Sequence, residues 1–279
     1  FAELSSTPRA ETWITDGDVY AVATTSTVTY IGGDFTYVGP NTGSFAALDI
    51  VTGGNAPLCA KANDTVHACV PDGAGGWYIG GDFTQVGTVA RARLAHILPD
   101  GSLDPAWNSN ANQSVRALVV CGGMVYAGGA FTTIGGQARK HVAALDAVTG
   151  AATAWNPGAD NSVYALAVSG ERVYAAGWFT NIGGQARNRI AALDAATGGA
   201  TAWNPNADGA VSALAVSEGT VYAGGDFVTI GGQARNRIAA LDAATGFSTA
   251  WNPGANRTVL ALAVSGGTVY AGGTFTSIG

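Results

Sequence analysis

Six times along the chain a short apolar run recurs in one frame: Val19-Tyr20-Ala21-Val22, Val66-His67-Ala68-Cys69, Val115-Arg116-Ala117-Leu118, Val163-Tyr164-Ala165-Leu166, Val211-Ser212-Ala213-Leu214 and Val259-Leu260-Ala261-Leu262. The leading valines lie 47 to 49 residues apart. Such self-similarity constrains the fold more than any local propensity, because each period must be one unit that buries its apolar face against the next. The order within a period is constant. The valine run is followed by a tight turn such as Ser217-Glu218-Gly219-Thr220, then Val-Tyr-Ala-Gly-Gly-Asp-Phe, Ile-Gly-Gly-Gln-Ala-Arg, Ile-Ala-Ala-Leu-Asp, Thr-Gly and Trp-Asn-Pro. That makes four short apolar segments, each bounded by Gly, Asn, Asp or Pro.

An α-solenoid has a similar period, and Ala191-Ala192-Leu193-Asp194-Ala195-Ala196 is helical by propensity. The 41 glycines decide against it, since they leave no room for a helix of about ten residues or more. Four short strands in a period of this length are the sequence signature of a β-propeller blade. The expected fold is all-β, a six-bladed β-propeller of about 48-residue four-stranded blades spanning 1–279 as one domain. Its blades run over about 19–65, 66–114, 115–162, 163–210, 211–258, and 259–279 plus 1–18. The last period stops after two strands, while Phe1-Ala2-Glu3-Leu4 matches Ile190-Ala191-Ala192-Leu193 and Trp13 matches Trp203. The last blade is therefore expected to take its inner two strands from the C-terminus and its outer two from the N-terminus, which removes open sheet edges.

Residues that stay constant from period to period read as packing. Phe35, Phe83, Phe131, Phe179, Phe227 and Phe275 share one position and are expected between blades. Trp107, Trp155, Trp203 and Trp251 share another; they are expected to cap the sheet interface, with sugar stacking as the alternative. One period also carries Leu98-Pro99-Asp100-Gly101-Ser102-Leu103-Asp104-Pro105-Ala106-Trp107, then Val115-Arg116-Ala117-Leu118 and Val125-Tyr126-Ala127-Gly128-Gly129-Ala130-Phe131. This stretch resembles the bacterial delta-60 type β-propeller repeat, with its Asp-Gly-Ser-Leu-Asp-Pro-Ser-Phe and Val-Leu-Val-Gly-Gly-Ser-Phe. Other periods have Asp-Ala-Ala-Thr-Gly in place of the Asp-Gly turn, and Trp stands where the family prefers Phe. The resemblance implies a secreted or surface-attached bacterial module without an assigned activity.

Charge narrows the partners. Thirteen Lys and Arg against 19 Asp and Glu give a formal charge of −6 with no basic run, so nucleic acid has no electrostatic purchase. No apolar stretch reaches the roughly 18–20 residues of a membrane span. The sequence opens at Phe1 with neither an initiator Met nor a charged-then-apolar leader, so the chain is expected to be soluble and excised or processed, with other domains of a larger polypeptide among its expected partners. Cys59 and Cys69 are the candidate disulfide pair, suiting an extracellular or cell-surface location; the alternative is three small buried hydrophobes, with Cys121 unmated. There is no Gly-x-Ser-x-Gly elbow, His-Glu-x-x-His, Cys-x-x-Cys or P-loop, and His67, His96 and His141 fall at non-equivalent positions. The chain is thus read as non-enzymatic.

Three sets of residues remain as site candidates. Asp16, Asn63, Asn112, Asp160, Asp208 and Asn256 each stand three residues before a leading valine. They are expected to form Asx-turns, or else a ring at a central channel able to hold Ca2+, the one cofactor candidate. Arg91 with Arg93, Arg139 with His141, Arg187 with Arg189 and Arg235 with Arg237 are expected to pair with Asp49, Asp146, Asp194 and Asp242, or to bind an anionic or uronic-acid ligand. Two positions vary where packing does not dictate them: Tyr20, His67, Arg116, Tyr164, Ser212 and Leu260 after the valine, and Asp34, Asp82, Ala130, Trp178, Asp226 and Thr274 after the glycines. Tyr20, His67, Arg116 and Tyr164, Trp178 as platform, and Asp34, Asp82 and Asp226 as acceptors are the candidate ligand residues. The expected role is a recognition or scaffold module presenting loops to a protein or glycan partner. A multivalent lectin-like binder and a metal-dependent hydrolase or lyase at the channel mouth are the alternatives.

Overall fold

The computed structural model describes residues 15–24, 28–36, 44–53 and 60–279. Among them there is no helix. The chain divides into two units, residues 1–105 and 106–279. The first holds β1 (Asp18–Thr24), β2 (Val28–Asp34) and β3 (Phe45–Asp49), then β4 (Val66–Pro71), β5 (Trp77–Gly81), β6 (Gln85–Val86), β7 (Val89–Ala90) and β8 (Leu94–Ile97). The second opens with β9 (Val115–Cys121), β10 (Met124–Gly129), β11 (Thr133–Ile134), β12 (Gln137–Ala138) and β13 (Val142–Asp146). It repeats that set as β14 (Val163–Ser169), β15 (Arg172–Gly177), β16 (Asn181–Ile182), β17 (Gln185–Ala186) and β18 (Ile190–Asp194), and again as β19 (Val211–Ser217), β20 (Thr220–Gly225), β21 (Thr229–Ile230), β22 (Gln233–Ala234) and β23 (Ile238–Asp242). It ends with β24 (Val259–Ser265) and β25 (Thr268–Gly273).

Each period folds into an antiparallel sheet whose second strand is central: β1-β2-β3 and β4-β5-β8 in the first unit, β9-β10-β13, β14-β15-β18 and β19-β20-β23 in the second. A central strand flanked on both edges and packed on both faces needs a continuous apolar run, which is what Val-Tyr-Ala-Gly-Gly supplies. Its glycines are fixed by close approach. A Cβ on Gly128 would lie 2.7 Å from the Val163 side chain, and one on Gly224 2.6 Å from that of Val259, so the leading valine of the following sheet occupies that space. The Ile-Gly-Gly-Gln segments form two-residue hairpins, β11–β12, β16–β17 and β21–β22, with both glycines at positive φ, as a type I′ turn demands.

The fourth strand expected in each period shrinks to a single bridge: Ile97 with Leu103, Leu145 with Ala152, Leu193 with Ala200 and Leu241 with Ser248. In the last three a backbone bond follows, from Thr153, Thr201 and Thr249 to the third strand, before the chain leaves for its Trp. A proline two residues after Trp155, Trp203 or Trp251 has no N–H with which to extend a ladder. In the second unit the first strands of successive sheets lie side by side, and the core forms between sheets. Tyr174, Ala192 and Trp203 of one pack with Val211, Val221 and Phe227 of the next. Phe35, Phe83, Phe131, Phe179 and Phe227 are 0–2% exposed, as expected, and each such burial contributes about 1.5–3 kcal/mol. β24 and β25 pair with no third strand among the described residues. The N-terminal strands expected to complete that sheet, with Trp13, lie outside the described residues.

Candidate recognition surface

The first strand of every sheet carries a β-bulge immediately after its leading valine. Pairing jumps between Val19 and Ala21, Val66 and Ala68, Val163 and Ala165, Val211 and Ala213, and Val259 and Ala261, and Arg116 is skipped in the same way. The bulged residues are thus Tyr20, His67, Arg116, Tyr164, Ser212 and Leu260, the first variable position. A bulge takes its residue out of the ladder and re-aims its side chain. The second variable position is pinned beside it: the amides of Asp82, Trp178 and Asp226 donate to the carbonyls of Thr65, Ser162 and Ala210 at 2.8, 3.0 and 2.8 Å.

The structure therefore brings the two variable sets together at one end of each sheet. In the first unit His67 Nε2 lies 2.7 Å from Asp82 Oδ2, and the Tyr20 ring stands 5.7 Å from that of His67. Asp34 ends β2 opposite Asp18. Desolvation, and then the Asp18 and Asp34 carboxylates, push the Tyr20 hydroxyl above its ordinary pKa. In the second unit the Arg116 guanidinium sits 5.6 Å from the Tyr164 ring of the neighbouring sheet, and Arg189 stacks 4.5 Å over Trp178. Asp226 faces Arg237 Nε at 3.6 Å and accepts from Thr258 Oγ1 at 3.4 Å. Trp178 is 46% exposed.

Arg189 and Arg237 reach these partners from a left-handed backbone that sequence reasoning missed. Arg93, His141, Arg189 and Arg237 have φ of 68°, 65°, 65° and 62°. The conformation is over-determined: each donates its N–H to the carbonyl of the blade's invariant Phe, at 2.8–2.9 Å, and accepts from the last glycine of the central strand, at 2.9–3.0 Å. For an L-residue this costs roughly 1–2 kcal/mol, and such strain persists where the surroundings impose it. The one signal was the Arg-x-Arg spacing, which separates two arginines with different work.

Residues 75–106 and 172–195 match the family model described as "Domain of unknown function (DUF5122) beta-propeller", a delta-60-like repeat family. Those two segments match a delta-60-like β-propeller repeat. No curated protein matches the chain. Among solved structures, the computationally designed Ika8 protein is similar over 91% of this chain and 67% of that one, with a TM-score of 0.60 and 19% identity, a likeness of fold alone. The designed Ika4 protein is similar over 64% of this chain and 92% of that one, with a TM-score of 0.46 and 14% identity.

In each repeat that carries the pair, the first arginine is a backbone staple. Arg139, Arg187 and Arg235 each donate to the preceding alanine carbonyl and to the carbonyl of Thr153, Thr201 or Thr249; Arg91 does the same toward Asp104 and Pro105. The expected ion pairs with Asp49, Asp146, Asp194 and Asp242 are not formed. Those carboxylates are satisfied locally by the backbone and hydroxyl of the threonine three residues on, which holds their pKa below the ordinary value.

The Asx positions also work differently from the Asx-turn reading. Asp16, Asn63, Asn112, Asp160, Asp208 and Asn256 accept backbone N–H bonds from residues 20 to 22 positions on, for example Thr84 and Gln85 to Asn63 at 2.9 and 3.0 Å and Thr180 and Asn181 to Asp160 at 2.8 and 3.0 Å. Antiparallel pairing of the first two strands brings the segment before the valine against the segment after the phenylalanine, and the side chain ties them. Among the described residues no three His, Cys, Asp or Glu side chains gather as a metal site would require.

Three of the four tryptophans at the repeated position are core. Trp107, Trp155 and Trp203 are buried, and their Nε1 donates to the carbonyls of Asp146, Asp194 and Asp242 in the next blade at 3.4, 3.0 and 3.0 Å. These three leave no face for sugar stacking, whereas Trp251 is half-buried and lines a cleft with Pro253 and Phe275. His96 is structural, held at 2.9 and 3.1 Å by Asp104 and Asp72 and stacked on Tyr78. Cys69 is a buried free thiol whose pKa desolvation pushes to about 12, and Cys59 lies outside the described residues, so the bridge between them is not described.

Proposed function

We propose that this chain is a non-enzymatic recognition and scaffold module, acting outside the cell or at its surface, that presents the bulge ends of its blades to a protein or glycan partner. One observation carries the reading: the two positions that vary in an otherwise repeated frame are the two that the bulges bring together. Packing no longer dictates the residue there, and Trp178, Tyr164, Arg116 and Arg189 are the side-chain types that dominate binding hot spots. No cofactor takes part. In the same proposal six blades close into a ring, with the last blade completed by the N-terminal segment. That closure is supported by β24 and β25, which keep the register of a first and second strand but leave Tyr270 exposed.

The test is a glycan array and a panel of cell-surface proteins, with and without calcium. The expected result is a calcium-independent partner whose binding is lost in Trp178→Asp and weakened in Arg116→Ser. Both replacements are residues that blade five already carries at those positions, Asp226 and Ser212, so the fold is preserved. Binding untouched by either change would refute the reading.

A further inference from the structure

Blades four and five are near copies, yet two of their departures from the repeat frame fall in one cavity. The cavity measures about 640 Å³ and lies between the Asn204–Asn206 loop, the β21–β22 hairpin and the Thr245–Phe247 turn. Phe247 stands where blade four has Gly199 and blade three Ala151. It is 68% exposed, and its ring edge would lie 3.9 Å from a Cβ on Gly232, at the hairpin tip. Asn206 occupies a left-handed position, φ 54°, that is glycine in the neighbouring repeats, Gly158 at 53° and Gly254 at 57°. Its Oδ1 accepts from Asn188 Nδ2 at 2.7 Å, which holds the amide at the cavity rim.

The chemistry of the lining selects the ligand. None of the lining residues carries a charge, so nothing there compensates a carboxylate, phosphate or ammonium group. The amides of Asn204 and Gln233 are exposed and have no hydrogen-bond partner among the described residues. Each offers two donors and an acceptor, which suits hydroxyls that both give and take a proton. An exposed aromatic ring supplies an apolar platform for the C–H face of a pyranose. The volume falls within the roughly 300–1,000 Å³ of small-molecule clefts. We propose that this groove binds a neutral oligosaccharide, with Phe247 as the platform and Asn204, Asn206 and Gln233 as the hydroxyl-binding groups. It uses none of the bulge-end residues and so stands apart from the surface proposed above.

The experiment titrates the full chain with cellotriose, maltotriose and triacetylchitotriose, with trigalacturonate and trialanine as charged and peptide comparators, followed by NMR. One or more neutral trisaccharides should saturate a single site. Phe247→Gly, the residue of blade four, should weaken it about tenfold, the scale of a lost aromatic contact. Asn206→Gly should weaken it less, and Trp178→Asp should leave it unchanged. Gly158→Asn with Gly199→Phe should build a second site in blade four, where a Cβ on Gly158 meets nothing within 4 Å. The inference falls if no neutral trisaccharide saturates, if affinity survives Phe247→Gly, or if only trigalacturonate or trialanine binds. It also falls if Trp178→Asp abolishes sugar binding, an outcome that would leave the bulge-end reading standing.

Discussion

β14–β15 and β24–β25 are nearly the same hairpin in different company. Both contain Val-Tyr-Ala in the second strand, and both pair in the same register, with the same bulge after the leading valine. Yet Tyr174 is 2% exposed and Tyr270 58%. β15 has β18 on its far edge and a following sheet packed on it, whereas β25 has no third strand among the described residues. Pairing is thus encoded inside one repeat, while burial is conferred by the neighbour, as expected where stability is a sum of repeat and interface contributions.

The largest effect that sharpens this contrast is at the invariant phenylalanine. Phe179→Ala should cost about 3–5 kcal/mol in chemical denaturation, because the ring is fully buried and the cavity is closed on all sides. Phe275 is only partly covered by the described residues. If the N-terminal segment completes the last blade, as proposed, Phe275→Ala should cost as much; a loss of about 1 kcal/mol would instead mark β24–β25 as an open edge. Trp203→Phe against Trp251→Phe makes the same comparison at lower amplitude. Trp203 Nε1 donates to Asp242 O, so its loss should cost about 1–2 kcal/mol. Trp251 keeps the edge contact with Tyr222, but its Nε1 has no acceptor among the described residues. Equal costs in thermal denaturation would place an acceptor there.

The same division explains what the sequence disclosed. The strands, the turn glycines and the buried phenylalanines were legible, because each follows from spacing within one period. Partners were not. Asp146 and Arg139 are both constant features, and opposite charge suggested a pair, but each is satisfied elsewhere, Asp146 by Thr149 and Arg139 by the carbonyl of Thr153. The indole of Trp155 was assigned to the interface correctly, yet its acceptor lies 39 residues away, in the next blade. The variable positions were found as two separate lists; only the bulge shows that they meet.

A pH comparison between blades gives the next, smaller effect. Burial pushes the Asp160 carboxyl up, but the Thr180 hydroxyl, the Asn181 amide and two backbone N–H groups outweigh it and hold the pKa well below the usual range. Asn112 does the same work without titrating, donating to Thr132 Oγ1 where Asp160 accepts from Thr180. A depressed folded-state pKa gives stability that is present above about pH 4 and lost as pH falls through the folded value. Asp160→Asn should therefore be less stable than wild type at pH 7 and converge with it toward pH 2–3, as read from melting curves. A gap that stays constant with pH would mean that the carboxylate charge contributes nothing.

The smallest effect on stability separates structure from recognition. Arg189 is left-handed, with φ of 65°, and glycine in its place would relieve about 1 kcal/mol of backbone strain. The same change removes a guanidinium stacked 4.5 Å over Trp178, a contact worth about 0.5–1 kcal/mol at an exposed site. It also removes the Nη1–H donation to Phe179 O at 3.2 Å, worth about 0.5–1.5 kcal/mol, so Arg189→Gly should cost about 1 kcal/mol or less while freeing the Trp178 ring, seen as a change in its fluorescence, and weakening any partner held at that bulge end. If Arg189→Gly instead destabilises the chain by several kcal/mol, the arginine is part of the packing, and the coincidence of variation with the bulges loses its functional meaning.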